Sequence, residues 1–436
     1  MESDTSGGAV ATQSSATEAP DFAGSARWVQ LVLGLACMMA ISSPQYVWTL
    51  FTKPLSAKLG VSLAELQITF SLLIVLQTFL SPVQGFLADR FGPKRLLAAG
   101  AVLTGASWVS AAGAHSLFAL YLTYGLLGGI GTGIVYIGVI GLMVKWFPDK
   151  RGLATGLVAA GYGMGAMLTT FPIASSLAAS GYERTLTVYG WIIGAVGLLA
   201  ALALTTPPQA REDSTTAGHA PAVRSVAPSA MLRMPIFWLL FAMMTMMSTS
   251  GLMVISQMAA FAKDFGVAQA TVLGFAALPL ALTLDRLTNG LTRPFFGWLS
   301  DRIGREHTMF VAFMLEGVAM TAWLLTRENA VLFVLLSGVV FFGWGEIFSL
   351  FPSTLTDTFG TRYATTNYGF LYMAQGVGSI LGGPLAALLY QRTATWITVF
   401  AVVITMNFVT ALLALLVLKP ARRRYLMAQS ARVSKS

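Results

Sequence analysis

Apolar residues fall along this chain in blocks of about twenty or more, separated by short polar stretches. A helix that crosses a bilayer needs roughly 20 mostly apolar residues. Blocks of that kind lie near 28–50, 66–88, 96–114, 118–143, 153–179, 186–205, 236–262, 270–299, 308–326, 331–353, 366–390 and 395–418. They predict an all-α membrane protein with twelve transmembrane helices. A polar, proline-rich linker at 206–234 divides six blocks from six. One six-helix half is therefore expected over 27–205 and a second over 235–419. Residues 1–26 read as a disordered cytoplasmic tail rich in Ser, Thr, Ala and Gly, and 420–436 as a basic cytoplasmic tail. The first tail has no basic residue, unlike a signal peptide, so the run from Trp28 is expected to stay as the first span.

The second half repeats the first. Pro82–Gly92 (PVQGFLADRFG) returns as Pro294–Gly304 (PFFGWLSDRIG), 212 residues later. At the same offset Gln45 matches Gln257, and at 213 the stretch Tyr162–Gly165 matches Gln375–Gly378. Two pseudo-symmetric halves related by an axis along the membrane normal are expected, a known transporter design.

Composition removes several alternatives. Only 10% of residues are charged, against about 25% in soluble domains, so lipid must cover much of the surface. One cysteine and three histidines leave no disulfide framework and no basis for a metal site, and no cofactor is expected. The net charge of +9 sits in short loops and the C-terminal tail, which argues against nucleic acid as a partner. With a cytoplasmic N-terminus, 19 of the 27 Lys and Arg fall on the cytoplasmic side. The positive-inside rule then places both termini in the cytoplasm. The glycine run Gly128–Gly133 lacks a preceding strand and a Gly-Lys-Ser/Thr, so close helix packing explains it better than a nucleotide.

Gly85, Asp89, Arg90 and Gly92, and their repeats Gly297, Asp301, Arg302 and Gly304, form a G-x-x-x-D-R-x-G loop. This loop resembles the signature of the major facilitator superfamily. The stretches QYVWTLF (45–51), KWFPDKRGLATG (145–156), AAGYGMG (159–165), NGLTRPFFGWLSDRIGR (289–305), WGEIFSLFPST (344–354) and NYGFLYMAQGVGSILGG (367–383) resemble its oxalate/formate antiporter family. The resemblance spans about Arg27 to Pro420. It implies a central site between the halves for a small carboxylate. An Arg and a Lys that hold the dicarboxylate in the family's type member match Arg293 and Gln375 here, so the second cation is replaced by an amide. Cavity aromatics match Tyr46, Tyr136, Tyr162, Trp344, Phe348 and Tyr372. The two loops are expected to lock helices together on the cytoplasmic face and to switch by breaking and remaking polar pairs.

The residues themselves point the same way. Arg293 lies eight residues before Asp301, about 12 Å into the membrane at 1.5 Å per residue. An Arg at that depth costs at least ~2.5 kcal/mol unless it meets water or a partner. Its planar fork suits a carboxylate. Arg286, seven residues earlier, lies on the same helix face, where it meets substrate or pairs with Asp285 or another acid. Glu346 either pairs with an Arg or carries a proton, and Glu316 is read as a buried structural acid or as facing a gap between helices. Gln45 and Gln257 are site residues or interhelical hydrogen bonds. The expected function is alternating-access exchange of oxalate for formate or related small carboxylates. A proton-coupled symporter of lactate- or pyruvate-type monocarboxylates, and a membrane carboxylate sensor, are the alternatives. No nucleophile–base or metal cluster in the spans suggests an enzyme.

Overall fold

The computed structural model describes residues 22–207 and 225–433. Arg211, Arg224 and Lys435 lie outside the described residues, as do most of the N-terminal tail and the central part of the linker. The principal helices are α1 (Phe22–Ala40), α2 (Leu63–Phe79), α3 (Ser81–Phe91), α4 (Pro93–Ala112), α5 (Gly128–Trp146) and α6 (Arg151–Ala203) in the first half. The second half has α7 (Pro235–Asp264), α8 (Ala277–Ile303), α9 (Arg305–Leu325), α10 (Ala330–Trp344), α11 (Ile347–Phe359), α12 (Ala364–Ile380), α13 (Trp396–Leu413) and α14 (Lys419–Val433).

Among the described residues, nine helices are long and apolar enough to cross a membrane, or ten when α2 and α3, bent by 49° at their junction, make one span. Two features separate this number from the expected twelve. Helix α6 fuses two apolar runs across Gly181, whose backbone leaves the helical region (φ 76°, ψ 172°). Helix α8 is 27 residues long but carries five charged residues, too many for an apolar span. Two boundaries also differ from the sequence reading. Helix α1 begins at Phe22, so the last residues of the supposed disordered tail are helical. The run beginning at 270 starts as a two-stranded ribbon, Thr271–Val272 with Phe275–Ala276, before α8.

The repeat in the sequence becomes a repeat in the interface. Helix α8 packs on α6, and helices α2 and α3 pack on α12. A Cβ on Gly297 would lie 2.1 Å from the Gly152 carbonyl oxygen, and one on Gly85 would lie 2.5 Å from that of Thr365. One step further in, Gly156 abuts Arg293 and Pro294, just as Gly369 abuts Ser81 and Pro82. Only glycine permits backbones this close, so these positions bring the halves into direct main-chain contact.

The signature loops close the end of this interface. Asp301 accepts hydrogen bonds from the Gly152 and Leu153 amides, at 3.0 and 2.9 Å, at the start of α6. Its repeat, Asp89, accepts from the Thr366 amide at 2.8 Å, in the first turn of α12. Each acid thus meets the positive end of a helix in the opposite half. Gly92 and Gly304 make the turns that follow, at φ 85° and 94°, where a side chain would be strained. Among the described residues the two motif arginines form no ion pair in this closure. Arg90 lies over Phe86 and Phe91, and Arg302 over Trp298. Other cations take that role: Lys145 pairs with Asp89 at 2.8 Å, Arg305 bridges Asp301 and Asp357, and Arg151 reaches Asp357 across the interface at 2.6 Å. Among the described residues, every hydrogen bond between the halves lies between the level of Arg293 and this loop face. The structure is therefore closed on the loop face.

Gly297→Val should force the two backbones apart there. Spin labels on α6 and α8 near the loops should report a longer separation than in the unsubstituted protein. An unchanged distance distribution would mean that the contact does not hold the face shut.

Candidate functional site

Arg293 sits where α8 crosses α6, and its side chain is 2% exposed. Its guanidinium has five N–H donors, and three hydrogen bonds are made. Nε and Nη2 donate to Asn289 Oδ1, at 3.2 and 2.9 Å, and Nη1 donates to the Ala159 carbonyl at 2.6 Å. The Phe348 ring lies 4.5 Å from Cζ. No carboxylate pairs with it among the described residues. Gly163 borders the group, and a Cβ there would stand 3.4–3.5 Å from the guanidinium. The cation is thus buried and held by neutral groups only. Hydrogen bonds to a charged group, about 1.5–3 kcal/mol each, and a desolvated cation–π contact of roughly 2 kcal/mol offset its burial. Two N–H donors stay unused.

The predicted aromatics gather around this point. Tyr136 stacks on Tyr372 across the interface at 4.8 Å and meets Tyr162 edge-on at 5.2 Å, while Tyr46 meets Tyr162 at 5.6 Å. The Tyr162 hydroxyl donates to Gln45 Oε1 and accepts from Gln77 Nε2 at 3.0 Å. Tyr368, four residues before Tyr372, packs on it and went unnoticed in the sequence, though that spacing puts both on one helix face. The buried hydroxyls of Tyr136 and Tyr368 face each other, and among the described residues neither they nor the buried Gln375 Oε1 complete a well-aligned hydrogen bond. Unused donors on tyrosines and a guanidinium are what a carboxylate needs.

Other predicted residues lie elsewhere. Trp344 is anchored by its indole N–H to the Met247 carbonyl at 2.8 Å and packs edge-on against Phe348, so it backs the site. Gln257 donates to the Gly383 carbonyl at 3.2 Å and acts as an interhelical tie. Arg286 is exposed and makes no ion pair, so its expected pairing with an acid is not found. Asp285 is buried with neither oxygen hydrogen-bonded. Helical geometry turns neighbouring side chains about 100° apart, which keeps these two on different faces. Glu346 is fully buried and its carboxylate oxygens have no hydrogen-bond partner among the described residues, so of its two expected roles the ion pair with an Arg is not formed. Glu316 accepts from Ser250 Oγ at 2.7 Å. Asn289, the residue that orients Arg293, was legible only as a polar position on the same stripe.

Comparison with known proteins decides the family. The Major Facilitator Superfamily model matches residues 31–284 and 242–434. The oxalate:formate antiporter of Oxalobacter formigenes is 35% identical over 395 residues, 90% of this chain and 91% of that one. The chain belongs to the major facilitator superfamily, in the oxalate:formate antiporter family. Monocarboxylate transporter 13 of Bos taurus is 27% identical over 76% of this chain and 74% of its own length. The proton:xylose symporter XylE superposes with a TM-score of 0.69, covering 91% of this chain and 97% of that one, at 12% identity. That likeness concerns the fold alone. This major facilitator protein is accordingly a multi-pass membrane transporter.

Arg293→Lys keeps the charge but not the fork that spans Asn289 Oδ1 and the Ala159 carbonyl. Membrane insertion should be normal. Affinity for a carboxylate should fall about tenfold or more, the loss expected from one charged hydrogen bond of about 1.5–3 kcal/mol. Equal affinity in a binding titration would remove Arg293 from the site.

Proposed function

We propose that this transporter exchanges small carboxylates, oxalate for formate or closely related acids, across a bacterial-type inner membrane with both termini in the cytoplasm. The observation that carries the proposal is the buried guanidinium of Arg293, held between the halves without an acid and with donors to spare. A carboxylate supplies the missing negative charge and the missing acceptors together. The signature loops seal one face in this state. Access to Arg293 would follow from the halves parting along α6–α8 and α3–α12, first on one side and then on the other. Charge supports the inward-facing assignment of the loop face, since most Lys and Arg lie there. Similarity to an oxalate:formate antiporter supports the substrate class.

Gln375 favours a second reading, proton-coupled uptake of a monocarboxylate. Its amide supplies no charge, so a dianion would meet one buried cation, Arg293, where the family pattern has two. Similarity to monocarboxylate transporter 13 is in keeping with this.

Counterflow separates the readings. Proteoliposomes loaded with formate should accumulate labelled oxalate against its gradient, and empty vesicles should not. Failure of formate-loaded vesicles to accumulate oxalate would exclude the exchange. Uptake into empty vesicles with alkalinisation of the outer medium would establish the symport.

A further inference from the structure

We infer that Glu346 and Glu316 form a proton-binding pair whose occupancy follows that of Arg293, so that a proton is taken up when an anion docks. This inference rests on the carboxylate reading given above.

The two acids stand on adjacent spans. Glu346 occupies the break between α10 and α11, and Glu316 lies in α9. Both are fully buried. Gly343, three residues before Glu346, packs on α9 so closely that a Cβ there would stand 2.8 Å from the Glu316 Cβ, and Glu346 feels the charges of both Glu316 and Arg293. The backbone carries the connection. Gly345, next to Glu346, packs on α8 so tightly that a Cβ would stand 2.9 Å from Asn289 Oδ1, the atom that holds the Arg293 guanidinium. Phe348, two residues beyond Glu346, carries the guanidinium on its ring.

Hydrogen bonding leaves this pair unfinished. Neither oxygen of Glu346 has a partner, and Glu316 Oε2 has none. Glu316 Oε1 accepts from Ser250 on α7, and Asn407 on α13 leaves its Oδ1 unpartnered beside it. The charged or titratable groups facing Glu346 are Arg293 from α8 and Glu316 from α9, while α7 and α13 contribute the neutral Ser250 and Asn407 to the pair. Asp285 lies further along α8, beside Ser337.

Charge balance then gives the coupling. Two carboxylates this close in a dry site do not both ionise, so they share a proton and titrate as a unit. With the carrier empty, the remaining negative charge offsets that of Arg293 in part, through space and without an ion pair. A docked carboxylate takes over that compensation and repels the acids, so Glu346 takes a proton from the water on the side from which the anion arrived. When the anion leaves, the proton leaves on the same side. In exchange the proton moves with the anion in both directions and cancels. In net uptake it is carried with the anion.

Binding that takes up a proton weakens as pH rises, by about tenfold per unit where the pair titrates. Purified carrier in weakly buffered solution should alkalinise the medium on addition of formate, and formate affinity should show that slope. Glu346→Gln should bind formate without proton uptake and with a flat pH dependence, and Glu346→Asp should restore both. Formate binding without proton uptake in the unsubstituted carrier, or uptake that persists in Glu346→Gln, would overturn the assignment. If formate does not bind at all, the carboxylate reading fails instead. Infrared difference spectra between two pH values, taken without any anion, then decide the pair. A protonated-carboxyl band that disappears in Glu346→Gln supports it, and its absence in the unsubstituted protein refutes it.

Discussion

A positive charge that has been taken out of water must be answered by something, and in this protein Arg293 is answered only in part. Its guanidinium is buried at the crossing of α6 and α8 and bound to an amide oxygen, a main-chain carbonyl and an aromatic face. Such neutral partners keep the cation in place at tolerable cost but do not cancel it. An acid as direct partner would have given a closed ion pair with no appetite for an anion. The rest of the arrangement follows from leaving that balance open. Tyrosines surround the cation, and Glu346 feels its charge without pairing with it.

The same cation sits at the interface between the two halves. The interface is built twice from matching parts, with glycines at 85, 297, 156 and 369 admitting main chain against main chain. An acid from each half caps a helix of the other. Arg293 lies at the inner limit of these contacts. Its repeat in the first half is Ser81, whose hydroxyl bonds the Gly369 carbonyl at 2.7 Å. The scaffold is therefore shared between the halves, and the charge belongs to one of them. That asymmetry sets Arg293 apart from its counterpart, and the proposed carboxylate site rests on it.

Much of this was legible in the sequence for physical reasons. Lipid demands long apolar runs, so the helices announce themselves, and the repeated loop announces the halves. Arg293 stood out because a charge in an apolar run is costly. The aromatic group was accessible through family resemblance and not through periodicity, since tyrosines in spans most often pack or anchor. What stayed hidden depends on contacts between helices distant in the chain. No local pattern shows that Glu316 and Glu346 stand together, or that Asn289 holds Arg293. A motif shows which residues recur but not which cation meets each acid, so the places of Arg90 and Arg302 were not legible. Both lie on aromatic rings at the margin, and Arg305, Arg151 and Lys145 make the ion pairs. The break at Gly181 was legible, since Glu183 and Arg184 separate the apolar runs at 153–179 and 186–205, although the helix is continuous on either side of that glycine.

Density for the carrier loaded with a small carboxylate tests the central claim most directly. The account predicts an anion between the halves with its oxygens on the free N–H groups of Arg293 and on the hydroxyl of Tyr136 or Tyr368. An anion bound elsewhere, with the guanidinium still holding only Asn289 and Ala159, would contradict it.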